Sequence, residues 1–335
     1  MTGKYIAMLI MVAIVTLGVI PSTFADEVVV YSARKEHLIK PLFDLYAKET
    51  GTKVRYITGN AGVLMQRIKA EGSRTRADIL LTVDAGNLWH AADEGLFQPV
   101  KSRVLEKNIP SHLRDPDNRW FGLSVRARTI AYNTDRVSPE ELSTYENLGS
   151  PKWKGRLVLR TSKKVYNQSL TAMLIVEHGL SKTEEIIRSW VHNLSTEPFS
   201  SDTKVLESIA AGQGDVGIIN TYYFGRLMNK KPGLPLALFW PDQDGNGVHV
   251  NISGAGVTTH ARHRDEAIKL LEWLSAPAAQ TIFADSNMEY PVHNDAKLHS
   301  IVKSWGSFRE NFINVSRSGE LQAEAIKLMD RAGYR

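Results

Sequence analysis

The sequence lacks cysteine altogether. A chain without cysteine holds no disulfide, no iron–sulfur cluster and no thiolate metal site. A long basic tract is also missing, because the net charge of +5 is spread along the 335 residues. This argues against nucleic acid as a partner. A modest positive charge fits an anionic ligand or anion-assisted metal binding, although solubility alone would also explain it.

Recognisable catalytic motifs are missing too. The sequence has no Gly-x-Ser-x-Gly elbow, no His-Glu-x-x-His motif and no histidine cluster with the spacing of a zinc site. We therefore predict that the protein is not an enzyme. An exported enzyme is the rival interpretation, and hydrolysis of chromogenic esters or phosphates would support it.

The apolar run at residues 6–20 is shorter than the roughly 20 residues that a membrane span needs. Lys4 precedes it, and a Thr-Phe-Ala sequence ending at Ala25 puts small residues at both key cleavage positions. These features predict an export signal over residues 1–25, cleaved after Ala25, and hence a periplasmic protein.

Short apolar strands alternate with helical periods along the rest of the chain. The first strand, at residues 28–30, precedes a segment whose apolar residues recur with a helical period. This alternation predicts an α/β fold with a parallel sheet and right-handed crossovers. Residues 121–125 and 129–133 are predicted to form two successive strands, and residues 167–178 and 182–194 two helices.

Two such strand–helix series, joined by extended hinge strands, predict two α/β lobes around a central cleft. The first lobe is predicted to comprise residues 26–125 and 252–300. The second is predicted to comprise residues 126–251 and 301–335. Ligands of open α/β folds bind beyond the carboxyl ends of the strands, so the residues at those ends are the site candidates.

Three predicted strand ends carry tyrosine. Tyr31 follows the first strand, Tyr166 lies beyond a strand of the second lobe, and Tyr222 and Tyr223 follow another strand of that lobe. Asp84 also lies at a strand end, where a helix-capping or hinge role is a better interpretation than ligand binding.

The adjacent tyrosines Tyr222 and Tyr223 are the most informative of these residues. Two successive side chains of a strand point to opposite faces, so both cannot pack on one face. At the start of a helix, both can face a cleft. Packing is the usual role of tyrosine, but a deprotonated phenol is also a ligand of ferric iron, as haem catalases show.

The sequence resembles the periplasmic ferric-iron-binding proteins of ABC importers, which have the type II periplasmic binding-protein fold. The resemblance covers essentially the whole chain after the predicted export signal. Four segments carry it: residues 28–36 (VVVYSARKE), 77–84 (ADILLTVD), 166–170 (YNQSL) and 220–227 (NTYYFGRL).

The resemblance implies a metal site made of three tyrosines. The family's paired ligands match Tyr222 and Tyr223, and the third ligand of its three-tyrosine subgroup matches Tyr166. Some members add a histidine where this chain has Lys35, and others add a glutamate where this chain has Val63 in its place. The match therefore favours three phenolates completed by an exogenous anion.

Arg34 matches the arginine with which some members hold that anion, typically carbonate. A guanidinium donates two parallel hydrogen bonds to a planar oxyanion, and Arg34 precedes a predicted helix whose free N–H groups favour negative charge. Capping that helix or pairing with Glu36 is the alternative role.

Three phenolates balance the charge of Fe³⁺. A bidentate anion raises the number of donor atoms to five, and a water molecule completes six.

Other residues are implied around the ligands. Tyr31, Asn220 and Tyr132 are candidates for contacts with the metal ligands. Tyr31 and Tyr132 are better interpreted as wall residues of the cleft than as ligands, and Asn220 either donates to a ligand or braces the turn. The resemblance implies a monomer that captures ferric iron and delivers it to an ABC permease of the inner membrane. The alternative is a protein of the same fold that binds an organic anion, a polyamine or an iron chelate.

Overall fold

The computed structural model describes residues 26–335, so the predicted export signal lies outside the described residues. The strands are β1 (Glu27–Ser32), β2 (Lys53–Thr58), β3 (Ile79–Val83), β4 (Phe121–Asn133), β5 (Leu157–Val158), β6 (Val216–Asn220), β7 (Leu236–Phe239) and β8 (Val250–Val257). The helices are α1 (Glu36–Thr50), α2 (Ala61–Glu71), α3 (Ala85–Asp93), α4 (Arg103–Asn108), α5 (Val165–Asn193), α6 (Asp202–Ala210), α7 (Thr221–Lys230), α8 (Arg264–Ser275), α9 (Pro277–Asp285), α10 (Ser300–Ser304), α11 (Arg317–Glu320) and α12 (Gln322–Arg331).

The strands form a mixed sheet in the order β2-β1-β3-β8-β4-β6-β5, with β7 paired to β4. Strands β1, β2 and β3 are parallel, as are β5 and β6. Strand β8 is antiparallel to both β3 and β4, and β4 is antiparallel to β6 and β7. The predicted parallel pairing therefore holds only within each strand–helix series. The parallel pairing fails at β8, because this strand brings the chain back from β5, β6 and β7 in the opposite direction.

Strand β4 differs from the prediction, because the two strands expected at 121–125 and 129–133 are one continuous strand of 13 residues. No proline interrupts it, its glycine, Gly122, lies at its start, and every residue of it is buried. The two arginines in its middle, Arg126 and Arg128, lie against the carboxylates of Asp84 and Asp202, which allows the strand to continue through a buried region.

Helix α5 spans both helices predicted at 167–178 and 182–194. The helix is interrupted between the two predicted segments only at Gly179, which has φ 75° and ψ 170°. Glycine tolerates this left-handed backbone without a steric penalty, so the chain kinks there and resumes the helix at once.

The buried apolar side chains separate into distinct cores. The first contains residues of α1, β3 and α8, such as Ile39, Leu81 and Leu270. Strands β5 and β6 have one core on each face, the second represented by Ile218 and the third by Ile219. This separation follows from strands whose successive side chains point to opposite faces. The part of the fold built around the first core is called its first half, and the part built around the other two cores its second half.

Strand β4 passes from one core to the others. Ala127 packs in the first core, Ile130 in the second and Ala131 in the third. The predicted lobe boundaries remain a prediction; Val250 and Val315, which they assign to the second lobe, pack in the first core. In the part of the chain that the structure covers, no helix is both long enough and apolar enough to cross a membrane.

Candidate functional site

A cleft of about 240 Å³ lies between the two halves of the fold. Its lining comes from the loop between β1 and α1, the first turn of α1, the end of β3, the strands β4 and β8, the starts of α5 and α7, and the segment after α9. The lining residues are Ala33, Arg34, Lys35, Leu38, Val83, Arg126, Tyr166, Tyr222, Tyr223, Arg226, Ser253, Asn287 and Glu289. The structure thus brings the three predicted tyrosines and Arg34 together.

Tyr222 and Tyr223 occupy the first turn of α7, directly after β6 ends at Asn220. Their ring centroids are 4.4 Å apart. Tyr222 is buried and Tyr223 is half-buried. Burial raises the pKa of Tyr222 well above its ordinary value, and the phenols of Tyr166 and Tyr223 raise it further. Without a cation in the cleft, Tyr222 therefore keeps its proton at neutral pH, whereas a bound metal ion favours the phenolate.

Tyr166 is the second residue of α5 and faces the same cleft. The guanidinium carbons of Arg126 and Arg160 lie 5.5 and 5.2 Å from its ring centroid. Burial raises the pKa of Tyr166, while the charge of Arg126 works in the opposite direction. Positive charge near a phenol favours its deprotonated form, so these arginines suit a ligand that must lose its proton.

Arg226 covers the tyrosine pair from within the same helix. Its guanidinium carbon lies 4.8 Å from the ring centroid of Tyr222 and 5.5 Å from that of Tyr223. The sequence argument missed this residue, although its spacing of three and four from the tyrosines places all three on one helix face. It also missed Arg126, which approaches from the distant strand β4 and leaves no local signal.

Arg160 is held in place by a buried carboxylate. Asp202 Oδ1 accepts a hydrogen bond from Arg160 Nη1 at 3.3 Å, and its Oδ2 accepts one from Arg128 Nη1 at 3.1 Å. Asn220 joins this network, since its backbone N–H donates to Asp202 and its side-chain oxygen accepts from Arg128. In this position Asn220 braces the turn from which the tyrosine pair projects.

Arg34 is 2 % exposed and lies on the opposite wall of the cleft. Its Nη1 donates to Glu289 Oε2 and to Ser253 Oγ, both at 2.9 Å. Among residues 26–335, its Nε and Nη2 find no hydrogen-bond partner. The pairing with Glu36 does not form, because Glu36 accepts from the Tyr56 hydroxyl instead. Arg34 therefore keeps one edge of its guanidinium free for an acceptor.

Glu289 was not a sequence candidate, yet it is the carboxylate of this wall. Burial acts to raise its pKa, but the charges of Arg34 and Arg126 together with the hydrogen bonds from Ser124 and Arg34 outweigh burial, so the pKa lies below its ordinary value. Ser124 Oγ also donates to Glu289, at 2.7 Å. A carboxylate held ionised in this way orients the guanidinium of Arg34.

Two of the candidate contact residues lie away from the cleft lining. The Tyr31 hydroxyl donates to Glu71, 3.1 Å away, under the guanidinium of Arg67. Tyr132 packs in the second core. Val63 is 65 % exposed and, unlike Lys35, is not part of the lining.

The donor set of this cleft is phenolic. Within residues 26–335, no three or more His, Cys, Asp or Glu side chains are grouped so that they could hold a metal ion. Tyr166, Tyr222 and Tyr223 offer three oxygen atoms to a hard cation, and the basic side chains nearby offer a place for an anion.

Comparisons with known proteins agree with this architecture. A family model described as bacterial extracellular solute-binding protein matches residues 75–309. Iron uptake protein A1 of Synechocystis sp. is 43% identical over 316 residues, which are 92% of this chain and 88% of that protein. Iron uptake protein A2 of the same organism is 40% identical over 91% of this chain and 89% of its own length.

Solved structures show the same fold. A Trichodesmium protein described as FutA in complex with iron and citrate ligands superposes with a TM-score of 0.90 at 45% identity, over 92% of this chain and 100% of that chain. The open form of Mannheimia haemolytica ferric iron-binding protein A gives 0.87 at 36% identity, over 92% and 99% of the two chains.

The predicted resemblance and the predicted two-lobed α/β fold are thus confirmed. The matched region extends through both halves of the fold and includes all three phenols of the cleft. This chain belongs to the bacterial extracellular solute-binding proteins, in the branch that contains these iron-uptake and ferric-iron-binding proteins.

Proposed function

We propose that this protein captures ferric iron in its cleft through the phenolate oxygens of Tyr166, Tyr222 and Tyr223. The observation that carries the proposal is the convergence of three phenols from two helix starts on one cleft. Fe³⁺ is small and hard and prefers anionic oxygen, and three phenolates balance its charge. All three ligands lie on elements of the second half of the fold, so that half binds the metal before the cleft closes.

An exogenous anion completes the coordination. Lys35 and Val63 stand where related proteins have histidine or glutamate, so the chain supplies fewer ligands of its own. Carbonate or a similar oxyanion would accept hydrogen bonds from the free Nε and Nη2 of Arg34. Arg126 Nη2 offers a further donor: it lies 3.7 Å from Asp84 Oδ2 in an ion pair but, like Nε and Nη2 of Arg34, has no hydrogen-bond partner among residues 26–335.

The protein delivers the iron to an ABC permease of the inner membrane, from the periplasm and as a monomer. Membership of a solute-binding family supports the carrier role and the absence of an enzymatic one. The named relatives that bind iron support the cargo. The export signal predicted at residues 1–25 supports the location.

A related function is capture of an organic anion or an iron chelate by the same cleft. The basic lining favours it, because Arg34, Lys35, Arg126 and Arg226 outnumber the carboxylate of Glu289. The same excess of positive charge speaks against a polyamine, which needs carboxylates on the walls of its site.

An optical titration tests the proposal. Purified protein mixed with ferric citrate should develop the visible absorption of phenolate-to-iron charge transfer. The variants Tyr166→Phe, Tyr222→Phe and Tyr223→Phe should each weaken both colour and binding. Tyr290→Phe is the matched control, since the Tyr290 hydroxyl lies outside the cleft lining and finds no partner among residues 26–335.

Two results would contradict the proposal. Iron-loaded wild type could stay colourless, or the triple phenylalanine variant could bind iron as tightly as wild type.

The place of the anion is tested separately with Arg34→Ala, which should abolish any dependence of iron binding on bicarbonate. An unchanged dependence would remove Arg34 from the anion site and leave the iron site standing.

A further inference from the structure

A chain of hydrogen bonds crosses the cleft from the tyrosine pair to Arg34. Arg226 Nη2 donates to the side-chain oxygen of Asn287. The side-chain nitrogen of Asn287 donates to Glu289 Oε1 at 2.8 Å. Glu289 Oε2 in turn accepts from Arg34 Nη1 at 2.9 Å. Asn287 thus links the two walls of the cleft.

The link joins elements that belong to different cores. Arg226 lies on α7, whose Phe224 and Leu227 pack in the third core. Asn287 follows α9, and the residues on either side of it, Phe283 and Val292, pack in the first core. Separation of the two halves would therefore break the bond between Arg226 and Asn287, and only a closed cleft can form it.

The chemistry of the link requires an amide. A guanidinium has only donors and an ionised carboxylate has only acceptors, whereas asparagine offers one of each from a single side chain. Arg226 is exposed and its bond to Asn287 is partly buried, whereas Asn287 is 7 % exposed and Glu289 is 2 % exposed, so the bond between these two is shielded from water. A buried bond of this kind has few alternative partners when it is broken.

The backbone around Asn287 is held close to α7. Met288 has φ 54°, an uncommon conformation for a residue other than glycine. Gly225 lies opposite it, and a Cβ added there would meet Met288 Sδ at 2.8 Å. The absence of a side chain at Gly225 lets the helix approach the segment that carries Asn287.

We propose that Asn287 is a positioning residue that fastens the closed cleft and couples closure to the tyrosine site. In the closed form it holds Arg226 over the rings of Tyr222 and Tyr223 and fixes Glu289 against Arg34. It acts through Arg226 and Glu289 rather than as a ligand of the metal or the anion. The coupling to iron rests on the proposed function; the fastening of the cleft does not.

The kinetic consequence falls on release rather than on capture. A bond present only in the closed form slows reopening, so its loss raises the dissociation rate of the bound ligand. Binding begins in the open form, in which the bond is absent and which the variant populates more, so the association rate should not fall below that of wild type. The tyrosine ligands are unaltered, so the charge-transfer maximum should not move.

The test compares Asn287→Leu with Asn294→Leu, an exposed asparagine of the same stretch, in two experiments. Small-angle X-ray scattering of the metal-free proteins should show a larger radius of gyration for Asn287→Leu only. Stopped-flow removal of iron by excess EDTA should be faster for Asn287→Leu by about tenfold, the effect of losing one hydrogen bond to a charged group. Arg226→Met should reproduce both changes, and the double variant should add little to either single variant.

The outcomes separate the two proposals. An unchanged radius of gyration together with wild-type iron release would overturn the role of Asn287, as would fully additive effects of Asn287→Leu and Arg226→Met. A fall in the association rate equal to the rise in the dissociation rate would also overturn it, because that pattern indicates damage to the site. If metal-free Asn287→Leu is more open than wild type but wild type binds no iron, the fastening role of Asn287 is supported and only the proposed function is contradicted.

Discussion

Ser169 on α5 donates a hydrogen bond to Asp84 Oδ1 at 3.1 Å, which joins the second half of the fold to the end of β3 in the first half. Asp84 is fully buried, accepts from the backbone N–H of Gly86 at the start of α3 and also accepts from Asn251 Nδ2 at 2.9 Å. The helix-capping role predicted for Asp84 is therefore confirmed. Asp84 also connects the two halves of the fold, next to strands β4 and β8.

Replacement of Ser169 by alanine should lower the free energy of unfolding by about 1 kcal/mol, because one donor to a buried carboxylate is lost. Urea denaturation measures the change. Ser208→Ala is the matched control, since Ser208 is also buried but its hydroxyl has no partner in the part of the chain described. Equal losses in the two variants would show that the bond between Ser169 and Asp84 contributes nothing.

Replacement of Asp202 by alanine should be far more damaging. Asp202 is fully buried and pairs with both Arg128 and Arg160, so its loss leaves two buried cations without their carboxylate. We expect a loss of about 3–5 kcal/mol in the free energy of unfolding. Asp244→Ala, at an exposed position, should change stability by less than about 0.5 kcal/mol. A small effect of Asp202→Ala would mean that water solvates both arginines.

Two glycine-to-alanine substitutions should change stability in opposite directions. In Gly254→Ala, on β8, the new Cβ would lie 2.5 Å from the backbone oxygen of Phe121, which cannot move without disturbing β4. We expect a loss of about 1–3 kcal/mol. In Gly62→Ala, on α2, the nearest atom is 3.4 Å away, so the helix should gain about 0.5–1 kcal/mol. Thermal denaturation of both variants checks the signs, and a stabilising Gly254→Ala would contradict the packing described.

His249 should make the fold sensitive to acid. Burial and the charges of Arg128 and Arg126 lower its pKa from 6.5 to about 3. The unfolded chain therefore takes up a proton on this histidine before the folded chain does, and stability present above pH 6.5 is lost as the pH falls toward 3. At about pH 4.5 the contribution is a loss of roughly 3 kcal/mol.

His249→Leu should remove this acid sensitivity. The difference in unfolding free energy between variant and wild type should shift in favour of the variant between pH 7 and about pH 4.5, by roughly 3 kcal/mol. His260→Leu, at an exposed position, should shift it little. Asp84 acts in the opposite direction, since burial raises its pKa to about 6, but its contribution is common to both proteins and cancels. A parallel pH dependence of His249→Leu and wild type would show that His249 accepts a proton in the folded state.

The regular elements were largely predictable, because they depend on local pattern. Strands β1, β2 and β3 pair in parallel as the strand–helix alternation indicated. That β4 is one continuous strand was not predictable from its own sequence. Two arginines in the middle of a strand indicate a break unless buried carboxylates neutralise them, and Asp84 and Asp202 come from elsewhere in the chain.

The candidate site was predictable where its residues are consecutive. Tyr222 and Tyr223 were found because two adjacent phenols after a strand are conspicuous, and Tyr166 was found through the family resemblance. Glu289 and Asn287 were missed, since nothing in their local sequence distinguishes a carboxylate or an amide that faces a cleft from one that faces water. Their roles depend on partners more than 60 residues away, such as Arg34 for Glu289 and Arg226 for Asn287.

The sequence by itself determined the α/β class, the strand ends at which ligands can bind and the phenolic donors that favour a hard cation. These follow from periodicity and from side-chain chemistry, which are local properties. Only the tertiary structure decided which charges surround the phenols, that Arg34 is shared with Glu289, and that Asn287 joins the two walls of the cleft. Those relationships arise from the approach of distant segments, because burial makes each charged or polar group depend on the partner that the fold brings to it.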